Sequence, residues 1–207
     1  MTATATDTLT LSTDVLVIGG GPAATWAAIN ARDNGAEVVL VDKGYCGTSG
    51  ATAPAGTGVW YVAPEAQARA SAKASRERLG GNLADHDWMD RVLDQTYANM
   101  HRLGTEGRYP FPVSKRTGEA IRTGVQGPEY MRRMRAWVQR RGVTILDHSP
   151  VLQLLTDRDG RVAGPPDIND SPAATSGSPR AQWFWRPAAA RSCPAPSAPT
   201  STPVTVR

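Results

Sequence analysis

Six small residues, Gly19-Gly20-Gly21-Pro22-Ala23-Ala24, stand between two apolar runs, Asp14-Val15-Leu16-Val17-Ile18 and Glu37-Val38-Val39-Leu40-Val41-Asp42. Continuous apolar runs of this kind belong to strands buried on both faces, as in a parallel sheet. Pro22 suits the first turn of a helix, where a missing N–H costs little. Small residues carry that helix over 23–34 until Gly35 stops it. Strand, glycine turn, helix and strand in this order make a βαβ unit, so the fold class is α/β with a parallel sheet.

The loop fits the pattern G-x-G-x-x-A, in which each position has a mechanical task. Gly19 permits the tight turn, Gly21 lets backbone approach a diphosphate, and Ala24 keeps the helix close to the strand. Gly20, Pro22 and Ala23 complete the loop, and the helix start offers unpaired N–H groups and a positive dipole end. Asp42 closes the second strand, where a carboxylate can accept hydrogen bonds from an adenosine ribose. Together these features predict a Rossmann-like FAD/NAD(P)-binding domain. The motif alone leaves FAD and NAD open.

Residues 44–58 are rich in Gly, Thr, Ser and Ala, which suits close approach to a ligand better than independent packing. Helices are predicted over 64–79 and 85–103. In the second of these, Trp88, Val92, Leu93, Thr96, Met100 and Leu103 recur at helical spacing as a core stripe. Tyr109-Pro110-Phe111-Pro112 must be extended or turning. Gly127-Pro128 opens a helix to Arg141, closed by Gly142. Residues 143–146 and 151–156 read as strands, and Asp157-Arg158-Asp159-Gly160 as a hairpin turn into 161–163.

The segment after the second strand separates the cofactors. The run Asp42-Lys43-Gly44-Tyr45-Cys46-Gly47-Thr48-Ser49-Gly50-Ala51-Thr52 resembles the second FAD-contacting segment of the succinate dehydrogenase and fumarate reductase flavoproteins, with aspartate oxidase and adenylylsulfate reductase. The resemblance covers residues 12–164. It implies that Asp42 and Lys43 close the second strand and that Thr48, Ser49, Gly50 and Ala51 wrap the cofactor beside its flavin ring. It also implies a β-meander that brings the backbone near Val151 against the adenine. Members with covalently attached flavin carry a His where this chain has Gly50, so the expected FAD is noncovalent. The implied activity is that of an FAD-dependent oxidoreductase acting on a small dicarboxylate-type acid, with an iron–sulfur partner subunit open. The family's substrate-clamping residues come from later segments, so no catalytic residue is assigned. A nonenzymatic remnant and an NAD-binding module remain the alternatives.

The mean composition hides two regions. Residues 165–207 hold nine of the 16 prolines, one isoleucine and no leucine, too little apolar surface to offset chain ordering. The expected organisation is a leader over 1–12, a partial FAD-binding domain over 13–164, incomplete at its C-terminal end, and a Pro-rich disordered tail. That tail carries four Arg and two Asp, leaving 19 basic and 17 acidic residues before it, so the sequence pI of 9.4 is no nucleic-acid signature. Arg132, Arg133, Arg135, Arg140 and Arg141 read as a solvated helix face. Cys46 and Cys193 provide neither a disulfide framework nor metal spacing, and Cys46 reads as inert. His86, His101 and His148 share no spacing and read as surface or packing residues. With no membrane span and no signal segment in the sequence, a cytoplasmic location is expected.

The tail also suggests a broken reading frame. Shifted to the third base of each codon, Gln182-Trp183-Phe184-Trp185-Arg186 permits Val-Val-Leu-Ala, and the next codons permit Thr-Gly-Gly. The resembling family continues past its meander with a strand and an Ala-Thr-Gly-Gly turn, so a frameshift between Gly164 and Gln182 is expected.

Overall fold

The computed structural model describes residues 13–151. The elements run β1 (Val15–Ile18), α1 (Pro22–Asp33), β2 (Val38–Val41), β3 (Gly56–Gly58), α2 (Ala66–Leu79), α3 (His86–Thr105), β4 (Gly124–Gln126), α4 (Gly127–Arg140) and β5 (Thr144–Leu146). They divide into two compact units. Of the described residues, one unit holds 13–50 and 138–151, and the other holds Ala51–Trp137. The leader before Thr13, the strand and hairpin assigned beyond Val151, the Pro-rich tail and the expected frame break lie outside the described residues.

The first unit is built on a three-stranded parallel sheet in the order β1-β2-β5. Val15 pairs with Val38 and Ile18 with Val41, while Val39 and Val41 pair with Thr144 and Leu146 on the other side. The central strand β2 buries all four of its residues, as an uninterrupted valine and leucine run must when both faces are covered. Val39 and Val41 anchor a cluster against which Leu16, Leu146 and Val151 pack. Helix α1 buries Thr25, Ala28 and Ile29. Full burial of a residue such as Leu40 or Ile29 contributes roughly 1.5–3 kcal/mol. Gly35 follows α1 at φ +87°, a conformation open to glycine at little cost. The buried Thr13 hydroxyl donates to the Glu37 carbonyl at 2.7 Å, which helps to align the starts of β1 and β2.

The second unit pairs β3 with β4 antiparallel, Gly56 opposite Gln126 and Gly58 opposite Gly124. Neither strand is expected from the sequence, because three-residue glycine-containing strands have no periodicity to detect. Gly127 then turns directly into α4. A Cβ there would overlap the carbonyl oxygens of Thr52 and Ala55, so only glycine fits. Helix α4 buries Tyr130, Met131, Met134 and Trp137, an i, i+1, i+4, i+7 stripe. Ion pairs join α2 to α3, Arg69 to Asp94 and Lys73 to Asp90, the latter at 2.7 Å.

One packing expectation needs correction. Leu93, Met100 and Leu103 of α3 are buried, but Trp88 and Val92 are 62% and 45% exposed. Trp88 lies more than a turn before Leu93, the first buried residue of the helix, and Val92, directly beside Leu93, falls on the exposed edge of the stripe. Helix bounds differ from the sequence reading by one or two residues at the ends.

Candidate functional site

The glycine loop joins β1 to α1 as expected. Gly19 has φ +108°, and its N–H donates to the Val41 carbonyl at 2.7 Å, tying the turn to the neighbouring strand. Gly20 is buried because the chain folds back on it. An added Cβ would strike the Asp42 carboxylate and come within 2.7 Å of the Cys46 Cα. Gly21 is the opposite case. It is the N-cap of α1, in extended conformation, and an added Cβ would meet nothing within 4 Å. Pro22 occupies the first turn, no side chain caps the terminus, and no acidic residue stands in the first turn. The Ala23 and Ala24 amides belong to the first turn, whose N–H groups lack intrahelical acceptors. Ala24 lies 4.0 Å from the position of a Gly19 Cβ, consistent with close strand–helix packing.

Asp42 stands beside this loop and is 3% exposed. Its Oδ2 accepts from the Ser49 hydroxyl, and its Oδ1 accepts from the Gly44 N–H at 3.3 Å. A carboxylate has acceptor sites beyond these two. Lys43 and Thr48 are exposed, and the Thr48 hydroxyl donates to the Tyr45 carbonyl at 3.3 Å. Gly50 is exposed, with its Cβ position 4.0 Å from the Gly21 Cα. Ala51 is exposed and begins the second unit. Val151 leans on the β2 cluster. The structure thus brings together Gly19, Gly20, Gly21, Asp42, Ser49 and Gly50.

One supporting residue escaped the sequence reading. Leu146 is in register with Val41, so Asp147 follows β5 as Asp42 follows β2. Its Oδ1 accepts from the Cys46 N–H at 2.7 Å. The N–H groups of His148 and Ser149 donate to the carbonyls of Gly44 at 2.6 Å and Asp42 at 2.7 Å. These bonds hold the segment that covers Gly20. The signal was present as an acid directly after a short apolar run, the same arrangement as at Asp42. Cys46 itself is buried and its thiol faces the Gly20 carbonyl at 3.8 Å, a packing position.

The remaining candidates have structural partners. Arg132 and Arg133 both pair with Glu129 at 2.7 Å, and Arg141 pairs with Asp33 at 2.9 Å. Hydrogen bonds from Arg132 and Arg133 hold the Glu129 carboxyl at about 2. His86 lies 3.0 Å from Glu77. Among the described residues no group of His, Cys, Asp and Glu could hold a metal ion, and no helix is long and apolar enough to cross a membrane.

A strand–loop–helix with an open N-terminus and an acid at the next strand end defines a dinucleotide-binding protein. The FAD binding domain family model matches residues 14–166, well over half of the chain, and the chain belongs to that family of FAD-dependent oxidoreductases. A comparison with curated proteins gives no match. Solved structures share the fold. E. coli quinol fumarate reductase aligns with TM-score 0.65 and 22% identity over 75% of this chain and 29% of that one. The Mycobacterium smegmatis Sdh1 complex aligns with TM-score 0.63 and 22% identity over 75% and 30%. Adenylylsulfate reductase from Archaeoglobus fulgidus aligns with TM-score 0.58 and 20% identity over 77% and 28%. The chain therefore spans less than a third of the length of each of these.

Proposed function

We propose that this chain is the dinucleotide-holding part of an FAD-dependent oxidoreductase that acts on a small dicarboxylate-type acid. The observation that carries the reading is the open N-terminus of α1. Gly21 faces empty space, no side chain caps the helix, and a buried carboxylate stands one strand away. Backbone N–H groups of Gly21, Ala23 and Ala24, with the positive end of the helix dipole, would hold the diphosphate. Asp42 would hold the ribose, with Gly19 and Gly20 shaping the turn and Pro22 starting the helix. Lys43, Thr48, Ser49, Gly50 and Ala51 would line the flavin side, and the Val151 backbone the adenine side. FAD supplies the hydride chemistry, while the protein positions it and excludes competing reactions.

Gly50 offers no imidazole to the flavin, which supports noncovalent attachment. None of this chain's residues is assigned a catalytic role. Substrate and proton-transfer groups, and any iron–sulfur partner subunit, belong to the larger proteins that share the fold. The frame break before Gln182 is part of the same proposal, and resequencing the gene tests it directly. An unbroken frame whose codons cannot encode Val-Val-Leu-Ala would overturn it.

Purification tests the main reading. A yellow protein whose flavin is released into the supernatant by acid precipitation is expected. A folded but colourless protein that takes up NAD and not FAD would replace the reading with that of a nicotinamide-binding module. Flavin retained in the acid pellet would overturn noncovalent attachment.

A further inference from the structure

A second cluster of chemically active side chains lies within the Ala51–Trp137 unit. Tyr97 and His101 are four residues apart on α3 and so share a face, with ring centroids 4.7 Å apart. Tyr61, beyond β3, stacks on Tyr97 at 5.1 Å and 16°, and its hydroxyl lies 3.0 Å from His101 Nε2. Arg122, just before β4, lies over Phe111 at 5.6 Å. Tyr61, Tyr97, His101 and Arg122 are all half-buried.

Arg122 is the unusual member. Its Nε is buried without a hydrogen-bond partner, its Nη1 reaches the Ala120 carbonyl only at 3.5 Å, its side chain stands close enough to interact with the Tyr61 hydroxyl and with His101, and among the described residues no carboxylate pairs with it. Arg69, Arg102 and Arg133, also half-buried, each meet a carboxylate. A partly desolvated guanidinium held only by neutral groups is stabilised further when an anion meets it.

We propose that Arg122, Tyr61, Tyr97 and His101 form a binding site for a small carboxylate. The guanidinium fork matches a carboxylate's two oxygens, and the phenols can supply further donors. Charge favours a monoanion over a phosphate. Burial, and then the charge of Arg122, lower the His101 pKa, so the imidazole is neutral and Arg122 is the cluster's one cation. Burial, and then Tyr97, raise the Tyr61 pKa, which keeps that phenol a proton donor. The proposal is independent of the FAD reading.

The test is a titration of the full chain monitored by NMR of its three histidines, with His101 assigned through His101→Gln. Acetate is expected to move the His101 ring signals saturably, while chloride at equal ionic strength does not. Arg122→Gln should weaken the effect by about ten- to a hundredfold, and Tyr61→Phe by less. If Arg122→Gln does not fold, Arg122→Lys keeps the charge without the fork and should also bind more weakly. No saturable shift, a shift that survives loss of Arg122, or a response to inorganic phosphate in place of acetate would overturn the proposal.

Discussion

Helices α1 and α3 solve the same problem in opposite ways. Each begins with N–H groups that have no partner within the helix. At α3 the chain supplies the acceptor itself, because the Asp85 side chain accepts from the Trp88 N–H at 3.0 Å and Asp87 adds a second negative charge in the first turn. At α1 the N-cap is Gly21, no side chain caps the terminus and the first turn holds no acid. One end is capped by its own side chain, and the other carries no side-chain cap. On the proposed function, the contrast separates a terminus that stabilises its helix from one that holds the dinucleotide.

Substitutions at the two ends should behave differently. Gly20→Ala attacks the loop that presents the α1 terminus. Its methyl would collide with the Asp42 carboxylate and the Cys46 backbone, so a loss of about 1–3 kcal/mol or more is expected. Thermal melting and the flavin content of the purified variant check this, and both should fall together. Asp85→Ala removes the α3 cap and should cost about 1 kcal/mol while leaving flavin content unchanged. A fall in flavin content there would erase the distinction between the two termini.

The smallest expected effect comes from the first turn of α4, where Glu129 faces Arg132 and Arg133. Its folded pKa of about 2 lies below the usual carboxylate value. The associated stability is therefore present above about pH 4.5 and is lost as pH falls toward 2. Arg132 is 62% exposed, so the contribution should stay under about 1 kcal/mol and shrink with salt. Glu129→Gln should flatten the dependence of melting temperature on pH across that window.

Much of the βαβ unit was legible because its signals are local. Apolar runs, a glycine pattern, Pro22 and Asp42 all stand within one stretch of chain, and the structure assembles them in that order. Helices α2, α3 and α4 were legible from periodicity and from their flanking Gly and Pro. The pairing of Gly56 with Gln126 was not, since it joins segments far apart in sequence with no pattern of their own. The exposure of Trp88 and Val92 was not legible either, because periodicity marks a face without showing where its covered part begins or how wide it is. Asp42 was placed correctly next to the loop. Its engagement by Ser49 and Gly44 depends on the fold of 44–50, which a glycine-rich composition does not specify.

The most direct measurement introduces at α1 the cap that α3 already has. Gly21→Asp fits the extended N-cap backbone and enters open space, so the variant should melt no lower than the unmodified chain. Its carboxylate would occupy the N–H groups and repel a diphosphate, and an FAD titration should show affinity reduced by about tenfold or more. Equal FAD affinity in the folded variant and the unmodified chain would contradict the claim that this helix terminus holds the dinucleotide.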